Sequence, residues 1–383
     1  MLPFDFELKT RMVTGAGSIL RVGELAAELG TSRALVVTDP GIVAAGHVAI
    51  AIDALKQQQI ASEVFDGASE NPTTLDVAAG LEAAREFQPD LLIGLGGGSS
   101  MDCAKGVNFV HSCGGEMKDY WGVGKAKGAM LPMIAIPTTT GTGSEMQSFA
   151  LISDAETHVK MACGDKKASC RIAILDPQLT LTQPPLVSAL TGIDAISHAV
   201  ETWVTTKRNS ISMLWSQEAW KLLAANFARS LDEGDNLEAR AAMQLGAAYA
   251  GLAIENSMLG ASHALANPLT ATYNTPHGQA VGLMLPHVVR FNGQQFEGWY
   301  RELLSLSKGI DGMPEVESGS AGLADFLTSL VAKASMETRL ENCGVERQRL
   351  PELAQGAAQQ WTGTFNPRAV DEASLLSVYE SAW

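Results

Sequence analysis

The chain has 383 residues, of which 46% are hydrophobic and 18% charged, and its formal net charge is −15. This length exceeds what one ordinary hydrophobic core contains, so we expect two domains, and the composition is ordinary for a soluble globular protein. The acidic balance, without a basic stripe, argues against nucleic acid as a partner, and no apolar run is long enough to cross a bilayer.

The N-terminal stretch MLPFDFELKTRM has no basic start followed by an apolar core. We therefore expect no secretion signal. The five cysteines are scattered and form no CxxC pair, which is typical of reduced thiols in a cytoplasmic protein.

Short apolar runs alternate with helical stretches in the first half of the chain. Such alternation predicts a parallel sheet covered by helices on both faces, with ligands at the carboxyl ends of the strands. The predicted strands are ALVVTD, SEVFDG, LLIGLGGG, MLPMIAIPTT and RIAILDP, and the predicted helices are HVAIAIDALKQQQ and residues 73–87.

The pattern changes after Pro184 and Pro185. Long amphipathic segments such as SMLWSQEAWKLLAANFARSL replace the strand-like runs. The expected fold class is therefore α/β plus all-α, with a Rossmann-like parallel-sheet domain over residues 1–180 and a helical domain over residues 181–383.

A glycine-rich turn, GLGGGSSMDCAKG, follows the third predicted strand. Its glycines allow close approach of a ligand to the backbone, and a helix predicted to start at Ser99 would offer free amides to a diphosphate. We expect Asp102 in the first turn of that helix, where it could cap the helix or accept from a ligand hydroxyl. The segment is not a GxGxxG fingerprint, so a tight turn without a ligand stays open.

Two other polar loops leave predicted strands, NPTT and IPTTTGTGSE. Three such loops at strand ends together predict a nucleotide cradle. Asp39 closes the strand ALVVTD, where a carboxylate can accept from both ribose hydroxyls of NAD and would repel the 2′-phosphate of NADP. The sequence therefore predicts NAD as the cofactor.

The run GIDAISHAVE places Asp194 and His198 four residues apart, on one face of a helix. Such a pair is either an ordinary hydrogen-bonded pair or half of a metal site. His263, in GASHALANP, and His277, in YNTPHGQA, also lie in the helical half, and each alone could be a core or capping histidine. Together the four residues offer one carboxylate and three imidazoles, a set suited to Fe²⁺ or Zn²⁺ with a position left for substrate.

These motifs resemble the iron-containing, group III alcohol dehydrogenase family, and within it the lactaldehyde reductase-like branch. The resemblance is collinear from Thr14 to Asn292. It implies an N-terminal α/β domain that binds the dinucleotide, a C-terminal helical domain that binds the metal, and a homodimer. The motifs that carry it are GGGSSMD, PTTTGTGSE, GIDAISHAVE and ASHALANPLTATYNTPHG.

The resemblance carries over to individual residues. Those matching the metal ligands are Asp194, His198, His263 and His277. Those matching positions that line the dinucleotide are Asp39, Asn71, Gly97, Gly98, Ser99, Asp102, Thr138, Thr139, Thr142 and Lys160. One position departs from the family: several relatives carry a proton-relay histidine four residues after the third ligand, and here Asn267 occupies that place in the expected active-site cleft.

The resemblance implies hydride transfer between NAD and a small alcohol, aldehyde or ketone. A dehydroquinate-synthase-like metal lyase shares the fold but needs Lys, Arg and His around a phosphate, and no such cluster accompanies the Asp/His set. A maleylacetate-reductase-like enzyme, being metal-free, should lack that set altogether. A non-catalytic protein of the same fold stays open on sequence alone.

Overall fold

The structure, a computed structural model, describes residues 4–383. Its internal contacts divide the chain into two compact units, Glu7–Gln183 and Pro184–Trp383, and the described residues 4–6 group with the second. Each unit has its own hydrophobic clusters.

Nine strands lie in the first unit and form two sheets. The larger sheet has the strand order β1-β9-β6-β4-β2-β3, and the smaller has the order β5-β8-β7. The strands are β1 (Arg11–Thr14), β2 (Arg33–Val37), β3 (Ala61–Phe65), β4 (Leu91–Gly96), β5 (Gly122–Val123), β6 (Met133–Pro137), β7 (Phe149–Ser153), β8 (Lys160–Gly164) and β9 (Ile172–Leu175).

All neighbouring strands of the larger sheet are parallel. Strands β4, β6 and β9 are buried along their whole length. A parallel sheet covered on both faces needs such continuous apolar strands, because both faces pack against helices. The predicted parallel sheet is confirmed.

Five helices cover the two faces of this sheet. Alternate residues of β2 point to opposite faces: Leu35 and Val37 pack in one cluster with Val77, whereas Val36 packs in the other with Leu55. The helices are α1 (Val22–Glu28), α2 (Pro40–Ala44), α3 (His47–Gln57), α4 (Thr74–Phe87) and α5 (Gly98–Cys113).

The structure adds strands that the sequence patterns did not predict. Strand β1 pairs with β9 at one edge of the larger sheet. Strands β5, β7 and β8 make a separate small sheet in which β7 and β8 are antiparallel. The glycine-rich turn therefore follows the fourth strand of the chain, not the third, and that strand lies between β6 and β2.

The second unit is helical, and none of its residues, all of which the structure describes, lies in a strand. The long amphipathic segments predicted as helices are confirmed. The helices are α6 (Pro185–Val204), α7 (Ser210–Asp232), α8 (Leu237–Ser257), α9 (Ala261–Tyr273), α10 (His277–Ser305), α11 (Gly319–Lys333), α12 (Leu350–Ala358) and α13 (Glu372–Ala382). No helix in the described part of the chain is long and apolar enough to span a bilayer.

A glycine explains how closely α10 approaches α6. A Cβ atom at Gly278 would lie 2.1 Å from the carbonyl oxygen of Leu190. Only a residue without a side chain fits there, because the first turn of α10 packs directly on the backbone of α6. This contact brings His277, the first residue of α10, next to the helix that carries Asp194.

Candidate functional site

Three helices of the second unit supply the predicted metal ligands. Helix α6 carries Asp194 and His198 one turn apart on one face. His263 lies in the first turn of α9, and His277 begins α10. Residues that are up to 83 positions apart in the sequence therefore meet around one point.

The ligand atoms converge on one oxygen of Asp194. From Oδ1 of Asp194, the distances to Nε2 of His198, His263 and His277 are 3.3, 3.5 and 3.8 Å. Ligand atoms of Asp194, His263 and His277 all lie within 4.8 Å of one another, and this group could hold a metal ion. The ring of His198 stacks on that of His263, with 5.0 Å between ring centroids.

The donor set and its burial fit a divalent cation. Asp194 Oδ1 and His263 Nε2 are buried and have no hydrogen-bond partner among the described residues. Leaving such atoms unsatisfied costs about 1–3 kcal/mol each, and an ion between them would satisfy both. The side chain of His277 is 29% exposed, so the group is reached from that side.

The charges of the group keep the carboxylate of Asp194 ionised. Although burial acts to raise the pKa of Asp194, the charges of the three neighbouring imidazoles outweigh it and hold the pKa well below its usual range. Burial acts to lower the pKa of His263, but Glu201 and Asp194 raise it to about 9. Asp194 is thus already ionised before a cation binds.

The sequence patterns did not single out Glu201, which lies against this group. Its Oε2 is 2.5 Å from His263 Nδ1, and its Oε1 accepts a hydrogen bond of 2.6 Å from the amide of Ser262. The spacing in the sequence could have indicated Glu201, since Asp194, His198 and Glu201 stand at positions i, i+4 and i+7 of α6. These positions share one face of a helix.

The glycine-rich turn of the first unit packs against the threonine loop, residues 138–142. A Cβ atom at Gly98 would lie 2.6 Å from Thr142 Cγ2, and one at Gly97 would lie 3.4 Å from Thr139 Cγ2. The hydroxyl of Thr139 is buried without a hydrogen-bond partner among the described residues. The amide of Thr138 donates to the carbonyl of Gly96, which joins the two loops.

Asn71, Ser99 and Lys160 meet beside this turn. The backbone amide of Asn71 donates to Ser99 Oγ over 3.3 Å, and Lys160 Nζ donates to Asn71 Oδ1 over 3.4 Å. Three polar side chains from distant parts of the chain therefore stand at the start of α5. Such an arrangement suits an anionic ligand, because the first amides of a helix have no partner within the helix.

Asp39 follows β2, at the same sheet edge. Its Oδ1 accepts from the amide of Ile42 over 3.1 Å and so caps α2, and its Oδ2 accepts from Ser100 Oγ over 3.0 Å. The side chain is only half-buried. A ribose hydroxyl reaching it would compete with, or add to, the bond from Ser100.

The prediction for Asp102 was wrong in its place on the helix. Helix α5 begins at Gly98, not Ser99, so Asp102 lies beyond the first turn and does not cap the helix. It is buried instead, where it accepts from Ser144 Oγ over 2.6 Å and from the amide of Leu151 over 3.1 Å. Burial raises its pKa. Through these two hydrogen bonds Asp102 holds the segments that contain Ser144 and Leu151 next to helix α5.

Lys105 was not predicted and supports the same loops. It is fully buried, and its ammonium donates to the carbonyl and hydroxyl of Ser144 and to the carbonyl of Phe149, over 2.7 to 2.8 Å. A lysine in the apolar run MDCAKGVNFV, three residues after an aspartate, is the signal that could have revealed it.

Asn267 lies one turn after His263 on α9 and does not belong to the metal-binding group. Its Nδ2 donates to Gln360 Oε1 over 2.9 Å, and the residue is half-buried. Helix α9 continues through Pro268 to Tyr273, so the segment NPLT is helical and not a loop.

Two family models match the chain. One, described as "Iron-containing alcohol dehydrogenase", matches residues 9–177. The other, described as "Fe-containing alcohol dehydrogenase family, C-terminal", matches residues 188–383. The two matches leave out only short segments of the chain.

Individual relatives match over almost the full length. The 1,3-propanediol dehydrogenase of Klebsiella pneumoniae is 30% identical over 99% of this chain and 99% of its own. The lactaldehyde reductase of Escherichia coli (strain K12) is 30% identical over 96% of this chain and 97% of its own. The crystal structure of sulfoacetaldehyde reductase from Bifidobacterium kashiwanohense in complex with NAD⁺ matches with a TM-score of 0.88 at 27% identity, covering 100% of this chain and 99% of that one. By name these three are alcohol or aldehyde oxidoreductases, and they lend no support to a lyase.

Proposed function

The chain belongs to the iron-containing alcohol dehydrogenase family and is therefore an oxidoreductase of alcohols and aldehydes, and we propose that it transfers hydride between NAD(H) and a small uncharged alcohol, aldehyde or ketone. The observation that carries the proposal is the convergence of Asp194, His263 and His277 within 4.8 Å. The proposed ligands of Fe²⁺ or Zn²⁺ are one carboxylate and three imidazoles, namely Asp194, His198, His263 and His277.

The unit Glu7–Gln183 is the proposed dinucleotide-binding domain, and Pro184–Trp383 is the proposed metal-binding and substrate domain. Support for the first comes from the turn at Gly97 and Gly98, whose neighbours carry hydroxyl, amide and ammonium groups. The proposed cofactor residues are Asp39, Asn71, Gly97, Gly98, Ser99, Thr138, Thr139, Thr142 and Lys160, with Asp102 supporting the loops from beneath.

When bound, a divalent ion supplies Lewis-acid polarisation of the substrate oxygen, and NAD(H) supplies the hydride acceptor or donor. The chain's own residues bind and orient these groups. Asp194 and Glu201 place two negative charges in a buried region and so offset a dication. A small alcohol would reach the group from the exposed side of His277. Because no side chain need act as a nucleophile, the absence of a Ser–His–Asp set in the sequence agrees with this chemistry.

We also propose that the protein is a homodimer and that it lies in the cytoplasm. Its support is the family expectation for the dimer and the five cysteines, all of which are free thiols in the structure. Free thiols are the normal state of cysteine in a reducing compartment.

The function is tested by NADH oxidation. The purified protein is stripped with a chelator, reloaded with Fe²⁺ without oxygen or with Zn²⁺, and given a series of short aldehydes and ketones. We expect turnover that returns with the metal and is greatest for small uncharged substrates. Both metals belong in the test, because the intrinsic affinity order favours zinc over iron whatever a cell supplies.

Two outcomes would contradict the proposal. Turnover that is unchanged in the stripped protein would reject the metal's role. Uptake of metal and NADH without turnover on any substrate would favour the non-catalytic alternative.

Asn267 yields a prediction about pH. We propose that it lies near the reacting groups and passes no proton, because an amide does not titrate near neutrality. Replacing it with histidine should add or shift a limb in the pH profile of kcat/KM for alcohol oxidation, since an imidazole titrates in that range. The measurement is the profile of both proteins between about pH 5 and 10.

The control is Asn267→Ala, which also removes the hydrogen bond to Gln360 but adds no titrating group. Its profile should keep the wild-type shape at a lower rate. If the profile of Asn267→His superimposes on that of the wild type after scaling, Asn267 does not lie near the reacting groups.

A further inference from the structure

We infer that Glu201 is a positioning residue: its carboxylate holds the proton of His263 on Nδ1, so that Nε2 offers its lone pair to the bound cation. The inference rests on the proposed metal site and adds a residue that the ligand set does not contain. In this role Glu201 does not itself bind the cation. It acts through His263, with which it shares a contact of 2.5 Å.

The two oxygens of Glu201 have different partners. Oε2 faces His263 Nδ1, whereas Oε1 accepts from the amide of Ser262 over 2.6 Å. The side chain is 3% exposed, so water does not replace these partners. A buried carboxylate needs such donors, because burying an unpaired charge is costly.

His263 lies between two carboxylates. Its Nδ1 contacts Glu201, and its Nε2 lies 3.5 Å from Asp194 Oδ1. With a cation bound, His263 is a neutral imidazole with one N–H, and the partner of each nitrogen decides which nitrogen carries it. An ionised carboxylate can only accept, so Nδ1 must be the donor to Glu201. Nε2 then carries the lone pair on the side of Asp194, His198 and His277.

The local backbone is shaped around this carboxylate. A Cβ atom at Gly260 would lie 3.0 Å from Glu201 Oε1, so a side chain there would crowd the bond to Ser262. Gly260 is the residue before α9, and His263 is the third residue of that helix. Glu201 therefore fixes both the imidazole and the start of the helix that carries it.

The competing explanation is that Glu201 only caps α9. The variant Glu201→Gln separates the two roles, because glutamine can still accept from the amide of Ser262 with its oxygen. Its NH₂ group would then face His263 Nδ1 and donate to it. The imidazole proton would move to Nε2, and that nitrogen could no longer bind a cation.

The experiment compares Co²⁺ and Zn²⁺ affinity of the wild-type protein, Glu201→Gln and Glu201→Asp, by competition with a chelator. We expect glutamine to weaken binding by about 10–100-fold, the range seen when groups that orient metal ligands are lost. The variant Glu201→Asp keeps the negative charge and should bind both ions more tightly than Glu201→Gln. The d–d absorption of bound Co²⁺ should change in Glu201→Gln, since one imidazole is lost from the coordination sphere.

The matched control is Asn366→Ala. Asn366 Oδ1 accepts from the amide of Ala261 over 3.3 Å, so it supports the start of α9 without touching His263. Metal affinity close to that of the wild type is expected in this variant. Should it lose as much affinity as Glu201→Gln, the effect belongs to the helix start and the inference is overturned.

The inference is also overturned if Glu201→Gln binds metal as tightly as the wild type, or more tightly than Glu201→Asp. A wild-type protein that takes up no ion would instead reject the proposed function, and this inference with it. If Glu201→Gln does not fold, the tautomer is read from ¹⁵N-histidine spectra of the zinc-loaded wild type. A proton on Nδ1 of His263 is required, and zinc on Nδ1 contradicts the inference.

Discussion

Replacing His277 with alanine is expected to remove the bound ion and to lower kcat/KM on the order of a thousandfold or more. The Lewis-acid contribution of a metal is several kcal/mol, and about 1.36 kcal/mol corresponds to a factor of ten in rate. The measurement is metal content by elemental analysis together with NADH-dependent turnover.

His277 is a better target than the more deeply buried His263. Removing His263 would leave Glu201 buried without its nearest partner, and breaking a buried charged pair costs about 3–5 kcal/mol of stability. His277 is 29% exposed at the start of α10. Loss of metal in His277→Ala can therefore be separated from loss of fold by the melting temperature.

The control for His277→Ala is His287→Ala, a histidine on the same helix whose Nδ1 contacts Ser381 Oγ at 2.9 Å. That variant should keep the ion and the activity. Full metal content and normal turnover in His277→Ala would remove His277 from the ligand set.

The second large effect concerns the choice between NAD and NADP. We expect the wild-type protein to prefer NADH and Asp39→Asn to gain about 10–100-fold in kcat/KM with NADPH. Two unit charges about 4 Å apart repel by about 4 kcal/mol at an effective dielectric constant of 20, and exposure of the site screens part of that. The measurement is kcat/KM for both cofactors in both proteins.

The structure makes asparagine the sharper substitution at this position. Asp39 caps α2 through the amide of Ile42 and accepts from Ser100. Asparagine keeps the capping oxygen but loses the charge and the second oxygen, which accepts from Ser100, whereas Asp39→Gly also loses the cap at a cost of a few tenths of a kcal/mol. Both variants should relax the preference. A wild-type protein with the higher kcat/KM for NADPH would show that Asp39 does not face the ribose.

Strands β4, β6 and β9 of the larger sheet were predictable because they are buried on both faces. Runs such as LLIGLG and MIAIP are continuously apolar, and that pattern survives in a single sequence. Strand β1, RMVT, is short and half-exposed, and β5 has only two residues. Their place in a sheet depends on partners far along the chain, such as Ile172 for Arg11, and local patterns do not contain that information.

The metal-binding group was also predictable only in part. The spacing of Asp194 and His198 indicated a shared helix face, whereas grouping them with His263 and His277 drew also on the family resemblance. The role of Glu201 was not predicted because its partner His263 is 62 residues away in the sequence. Asp102 was misplaced because the helix begins earlier than its serines suggested, and only the buried contact with Ser144 reveals its role.

The stripe formed by Asp194, His198 and Glu201 on α6 limits how this segment can evolve. Each residue of an α-helix advances the side-chain direction by about 100°, so one inserted or deleted residue between positions 194 and 201 would turn Glu201 away from His263. Point substitutions on the other faces of this helix leave that direction unchanged. We therefore expect natural variants of this chain to accumulate amino-acid replacements across the segment while its length stays fixed.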